Sequence, residues 1–189
     1  MAEMAKRIAL GSGKIYLTTK TAEMDFADIE AVIKQYALPA NEFAAVKNGA
    51  SVTYTPTAYS AEDDLGRFTK TITQDEVVTL GCGLITINSD VLNALVDTAR
   101  VEKKTKAEII RIGGAGNAKG DSYLLIFEHL DAKDGNIYVV IVGKNSGELS
   151  FSFQKSNETI LNPVFTAEGM DDDGTKMAIV MQKPEAAAA

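Results

Sequence analysis

Short segments of β-branched and aromatic residues recur along this chain, with Gly, Asn and Asp punctuating them at close intervals. The clearest lie at 14–19, 50–55, 68–73, 77–80 with 84–87, 108–112, 122–129, 137–143, 148–154 and 175–182. Val52 and Tyr54 alternate with Ser51, Thr53 and Thr55, the period of a half-buried strand. Turn triplets such as Asp134-Gly135-Asn136 and Asn145-Ser146-Gly147 favour tight reversals, so the run from 108 onward reads as a meander. Gly81 and Gly83 interrupt the strand pattern at 77–87 and mark a bulge or a close backbone approach.

Two segments change period. Between 25 and 38, Phe26, Ile29, Ile33 and Ala37 recur at spacings of three and four until Pro39 stops them. After Asn88 and Ser89, either of which serves as a cap, Val91, Leu92, Leu95, Val96 and Ala99 form one apolar face. Asp97, Arg100, Glu102 and Lys103 are the polar positions of that helix, which would cover a sheet. The sequence therefore predicts a mainly β fold: a β-sandwich or partial barrel of two packed sheets, one flanking α-helix and a short second helix. A single domain spans 1–183, with an N-terminal arm at 1–13 hinged at Gly11-Ser12-Gly13 and a long acidic loop at 55–68. The Ala-rich tail at 184–189 is left outside the fold.

The formal charge of −7 and pI of about 4.8 argue against a surface that gains by releasing counterions from nucleic acid. Cys82 is the single cysteine, so no disulfide forms within the chain, and a reducing cytoplasm suits its synthesis. Neither a signal peptide nor a membrane-spanning segment is expected from the apolar runs.

Chemistry is sparse. His129 is the only histidine, and Cys82 lies among glycines and aliphatics, which suits a core residue better than a thiolate nucleophile. Gly11-Ser12-Gly13-Lys14 lacks the Ser or Thr after its lysine and has Ile8 where a phosphate-binding loop needs its first glycine. The run from Gly113 to Gly120 has Lys119 at the third glycine position of a dinucleotide fingerprint and leads into a strand, so it reads as a mobile hairpin loop. Asp171-Asp172-Asp173-Gly174 imitates a calcium loop, but Gly169 and Val180 occupy its first and last ligand positions, and a type I′-like turn explains it. No catalytic residue, cofactor or metal site is expected.

Several segments follow one another in a fixed layout: the arm before Lys14, the run Lys47-Asn48-Gly49-Ala50-Ser51-Val52-Thr53-Tyr54 entering the acidic loop, and Ser89-Asp90-Val91-Leu92-Asn93-Ala94-Leu95-Val96 after a strand. Ser150-Phe151-Ser152-Phe153, then Pro163-Val164-Phe165-Thr166-Ala167-Glu168-Gly169 and a last strand complete it. This layout resembles that of bacteriophage tail tube proteins, a family related in fold to the tube proteins of contractile tails and of type VI secretion. The resemblance implies a virion protein: hexameric rings whose strands join a continuous barrel around a lumen, the helix outside the sheet, and rings stacked into a conduit for DNA. It also implies contacts with the tape measure, tail terminator and distal tail components, no specific nucleic-acid binding and no membrane. By position, the loop at 55–68 would reach the adjacent ring, with Glu62, Asp63 and Asp64 pairing to basic residues there, Tyr59 and Phe68 as apolar anchors, Arg67 as a charged clamp and Pro56 at its start. On the strand at 148–154, Ser150, Ser152 and Gln154 would face a wet lumen and Phe151 and Phe153 the core.

Two other classes compete. A glycan-binding or receptor-binding β-sandwich, an adhesion module, shares the strands and the lack of catalytic residues, and predicts a monomer or small oligomer. An acid-base enzyme would draw on Glu62, Asp63, Asp64 or Glu128, yet nothing in the sequence selects a pair.

Overall fold

The computed structural model describes residues 12–183 and contains, in chain order, β1 (Gly13–Thr19), α1 (Ile29–Tyr36), β2 (Glu42–Ala44), β3 (Val46–Glu62), β4 (Thr69–Leu84), α2 (Ser89–Leu95), β5 (Arg100–Lys104), β6 (Ala107–Arg111), β7 (Tyr123–His129), β8 (Ile137–Asn145), β9 (Val164–Glu168) and β10 (Ala178–Met181). The fold is mainly β, with two sheets and two α-helices, as the segment pattern predicts.

The larger sheet runs β2-β1-β7-β8-β9-β4-β3, every pairing antiparallel. Its two ends, β2 and β3, are one stretch of chain interrupted only at Ala45, so the sheet curls into a closed circuit. The Ala45 carbonyl accepts from the Ile85 amide at 3.1 Å, and its own amide donates to Thr86 Oγ1 at 2.9 Å, which seals that corner. β8 serves two neighbours on one edge: β10 pairs with residues 137–140 and β9 with residues 142–145. Strand direction alternates around the circuit, so it has two distinct ends. At the upper end β1 finishes and β7 begins; at the lower end Gly13, His129 and Ile137 lie side by side.

Period-two alternation splits the core in two. Tyr123, Leu125 and Phe127 of β7, with Val139 and Ile141 of β8, turn inward to meet Val78, Leu80, Cys82 and Leu84 of β4 and Phe165 of β9. Leu124 and Ile126, with Tyr138, Val140 and Val142, turn outward and are covered by Val32 and Ile33 of α1. Both faces of β7 and β8 are therefore buried, which explains their nearly continuous apolar runs. Each fully buried aliphatic here contributes about 1.5–3 kcal/mol relative to exposure. Asp28 starts α1, its side chain accepting from the Ala31 amide at 3.0 Å.

Several expectations change. Asn88, not Ser89, caps α2, and α2 ends at Leu95 because Arg100–Lys104 pairs with Ala107–Arg111 as a two-stranded ribbon instead of extending the helix. Val91, Leu92 and Leu95 belong to the inward cluster, so α2 closes the barrel interior, and α1 is the helix on the outer face. Gly13 pairs with His129 as the first residue of β1, so the arm ends before it; the rest of the arm up to residue 11 and the tail at 184–189 lie outside the described residues. Gly81 and Gly83 sit in an unbroken β4. A Cβ on Gly83 would come within 2.4 Å of the Lys47 carbonyl oxygen, so the close approach is real there, while the bulges fall at 47/50 and 57/58.

Candidate functional site

The long loop expected at 55–68 is a strand pair. β3 and β4 stay paired from Val46↔Leu84 to Glu62↔Thr69, through two bulges, and the reversal is confined to residues 63–68. The segment looked like a loop because Thr-Pro-Thr-Ala-Tyr-Ser-Ala offers no alternation of apolar with polar residues, and no such alternation is required where both faces are wet. Every residue from 51 to 62 and from 69 to 77 is exposed. Beyond Thr55↔Val77 the ribbon extends roughly 25 Å at about 3.3 Å per residue. Because β3 runs antiparallel to β1, the ribbon leaves the barrel toward its lower end.

Its root and its bends have local causes. Asn48 and Gly49 both take positive φ, 64° and 73°, and make the bulge between Lys47 and Ala50. Gln74 is the extra residue between Thr57↔Asp75 and Ala58↔Thr73. Lys176 Nζ donates to the Glu76 carbonyl, with Asp75 Oδ1 3.9 Å away, and so ties the ribbon to the segment leading into β10. Past that point neither edge of the ribbon is paired among the described residues: β9 reaches only Thr79, Leu80 and Gly81. Pro56 removes one amide from β3.

Directly opposite residues share a face. One face presents Thr55 with Val77, Thr57 with Asp75, Tyr59 with Ile72, and Ala61 with Lys70. The other presents Pro56 with Glu76, Ala58 with Thr73, Ser60 with Thr71, and Glu62 with Thr69; the Ser60 and Thr71 hydroxyls hydrogen-bond at 2.7 Å. At the tip Asp63 organises the turn. Its Oδ1 accepts from the Arg67 and Phe68 amides, and its Oδ2 is 3.2 Å from Arg67 Nε. These bonds, the Phe68 amide first, hold the Asp63 carboxyl below its ordinary range. Arg67 also lies over the Phe68 ring, 6.0 Å from its centroid. Within one copy Asp63 and Arg67 therefore pair with each other across the turn. Glu62, Asp64, Tyr59, Leu65, Phe68 and Ile72 stay outward, Phe68 at 73 % exposure.

The second predicted set does not form a strand. Ser150, Ser152 and Gln154 lie in an irregular exposed segment, where Gln154 Nε2 donates to Ser152 Oγ at 3.0 Å and Thr159 Oγ1 donates to the Ser152 carbonyl at 2.7 Å. Phe151 and Phe153 are not core residues; they stack on one another with centroids 6.0 Å apart, and Phe153 is 82 % exposed. Alternation alone did not make a strand here: none of residues 148–154 enters a ladder.

The remaining candidates are structural in their surroundings. Glu128 is buried and accepts from Tyr16 Oη at 2.7 Å, Tyr138 Oη at 2.8 Å and Asn136 Nδ2 at 2.9 Å. Burial first, then these bonds, pushes the Tyr16 hydroxyl above its ordinary range. His129 is also buried, and its Nε2 has no hydrogen-bond partner among the described residues. Cys82 lies near the upper end on β4 and His129 at the lower end of β7, so the two do not form a dyad. The run from Gly113 to Gly120 is no hairpin loop. It crosses from β6 to β7 with a 3-10 turn at Ala115–Asn117, and Asp97 Oδ1 accepts from the Lys119 and Gly120 amides. At 171–174 only Gly174 has positive φ, so the turn is not type I′. Among the described residues no group of three or more His, Cys, Asp or Glu is placed to hold a metal ion.

The sequence pattern shows β6, at 108–112, but hides β5 and the charged ribbon that the two strands make. Within residues 100–111, Arg100, Lys103, Lys104, Lys106 and Arg111 outnumber Glu102 and Glu108, a net of +3 on a chain of net −7. The signal was the charge run itself, absorbed into a helix that stops earlier. Compared with protein-family models and with curated proteins, the chain matches none.

Proposed function

We propose that this chain is a structural subunit of the tail-tube type, whose copies close into rings, hexameric on the family analogy, that stack into a hollow conduit for DNA. The observation that carries the reading is the β3–β4 ribbon. An isolated two-stranded ribbon is marginal in water, and among the described residues this one leaves both faces wet, both edges unpaired and Tyr59, Leu65, Phe68 and Ile72 outward. Neighbouring copies would satisfy those edges and cover those side chains, while the barrel supplies a rigid base. A net charge of −7 repels phosphate, which suits passage of DNA without retention. The tape measure, tail terminator and distal tail components are the partners such a subunit would meet inside the tube and at its ends.

Sedimentation velocity across a concentration series tests self-assembly. The expected outcome is a mass that climbs with concentration through discrete closed oligomers. A folded species that remains monomeric throughout overturns the proposal and favours the adhesion module.

A further inference from the structure

Two ribbons of opposite charge sit at opposite ends of the barrel. The β3–β4 ribbon carries Glu62, Asp63, Asp64, Asp75 and Glu76 against Arg67 and Lys70, a net of −3, and it leaves toward the lower end. The β5–β6 ribbon is the +3 element. Its turn lies toward the upper end: Lys103 Nζ is 3.4 Å from Asp90 Oδ1, and Asp90 lines a groove with Thr19, where β1 finishes, and Tyr123, where β7 begins. Glu102 already engages Lys104 at 3.3 Å and Arg111 at 2.7 Å. Lys106 at the turn makes no ion pair among the described residues, and neither do Glu62 and Asp64 at the acidic tip.

We propose that the turn of the β5–β6 ribbon, Lys103 to Lys106, is the receiving surface for the acidic tip of the β3–β4 ribbon of a second copy. The proposal rests on the self-assembly reading and names the contact it uses. The two surfaces are different patches at opposite ends of one molecule, so the contact is head-to-tail: each copy offers a tip below and a receiver above, and assembly propagates. Within one copy the two cannot meet, because the acidic ribbon points away from the basic one. Glu62 and Asp64 would supply the carboxylates, leaving Asp63 to hold its turn, and Lys104 and Lys106 the ammonium groups. Charge complementarity of this kind governs partner choice and association rate, and salt weakens it.

A charge-swap experiment in the full chain tests it, reading the critical concentration for assembly by sedimentation. Lys104→Glu with Lys106→Glu should raise that concentration by about tenfold or more, and Glu62→Lys with Asp64→Lys should do the same, while thermal melts show each variant folded. Combining all four substitutions should restore assembly to within about threefold of the wild type, because the pairing is re-formed with its signs exchanged. Assembly of either pair variant at the wild-type concentration overturns the proposed contact and leaves self-assembly standing. Failure of the four-fold variant to recover also overturns it, showing that the two surfaces meet different partners. Wild-type protein that never assembles overturns both this inference and the reading beneath it. If the wild type binds duplex DNA and Lys104→Glu with Lys106→Glu loses that binding without losing assembly, the basic ribbon serves nucleic acid and the proposal falls.

Discussion

Cys82 shows what the barrel interior does to a titratable group. It pairs with Ala50 and packs among Leu80, Leu84 and Phe165, and burial pushes its thiol up to about 12. The folded pKa is raised, so the stabilisation is complete below the ordinary thiol value and is lost as pH rises from there toward about 12. Over that window the unfolded chain ionises first, and Cys82 alone should lower stability by about 1.4 kcal/mol per pH unit. Urea titrations at rising pH should show the decline, and Cys82→Ser should flatten it. Thiol reagents should label Cys82 only as the chain unfolds. Glu128 belongs to the same scale. Its carboxylate is buried but receives three hydrogen bonds, from Tyr16, Tyr138 and Asn136, which is how a buried polar group escapes the penalty of an empty one.

At the scale of elements, the β3–β4 ribbon and the barrel are separable. No residue from 58 to 73 is buried, whereas Val78, Leu80, Cys82 and Leu84 all are. Replacing residues 58–74 by an Asn-Gly turn should therefore leave the melting temperature within a few degrees of the wild type, since surface changes away from the core stay within about 0.5 kcal/mol. The same variant should lose the large assemblies, which sedimentation reads directly. Retention of long assemblies would move the contact away from the ribbon. The same division explains what could be read from the sequence. β7 and β8 were legible because Leu124 to Phe127 and Tyr138 to Val142 are buried on both faces and leave long apolar runs. The tip half of β3 was not, although 68–73 opposite it was, because Thr57, Ala58, Ser60 and Ala61 bury nothing and Pro56 reads as a break. The segment at 148–154 misled in the opposite sense. Its Phe and Ser alternate as in a strand, but alternation does not make a ladder: none of residues 148–154 pairs with a strand, and Phe153 stays exposed. Likewise Val96 and Ala99 continue the spacing of α2 by coincidence, while pairing of Val101 with Ile110 decides the backbone there. Of the candidate site, Tyr59, Glu62, Asp64 and Phe68 were legible as exposed residues of one segment. The turn that employs Asp63 and Arg67 was not, because it depends on how residues 62 and 69 come into register.

For the whole molecule, the closed barrel and the projecting ribbon divide rigidity from reach. The circuit leaves the barrel few free edges, since β2 and β3 join the ends of the sheet through Ala45, and the unpaired backbone is concentrated on the ribbon instead. An acidic tip below and a basic turn above give the molecule a polarity that repeated head-to-tail contacts would carry along an assembly. Electron microscopy of the wild-type protein, concentrated at low salt, tests this most directly. Hollow rings with a stain-filled centre, stacked into tubes of uniform diameter, are the expected result, and the tubes should shorten toward single rings when residues 58–74 are replaced by a turn. Uniform compact particles the size of one chain, at every concentration, would contradict it.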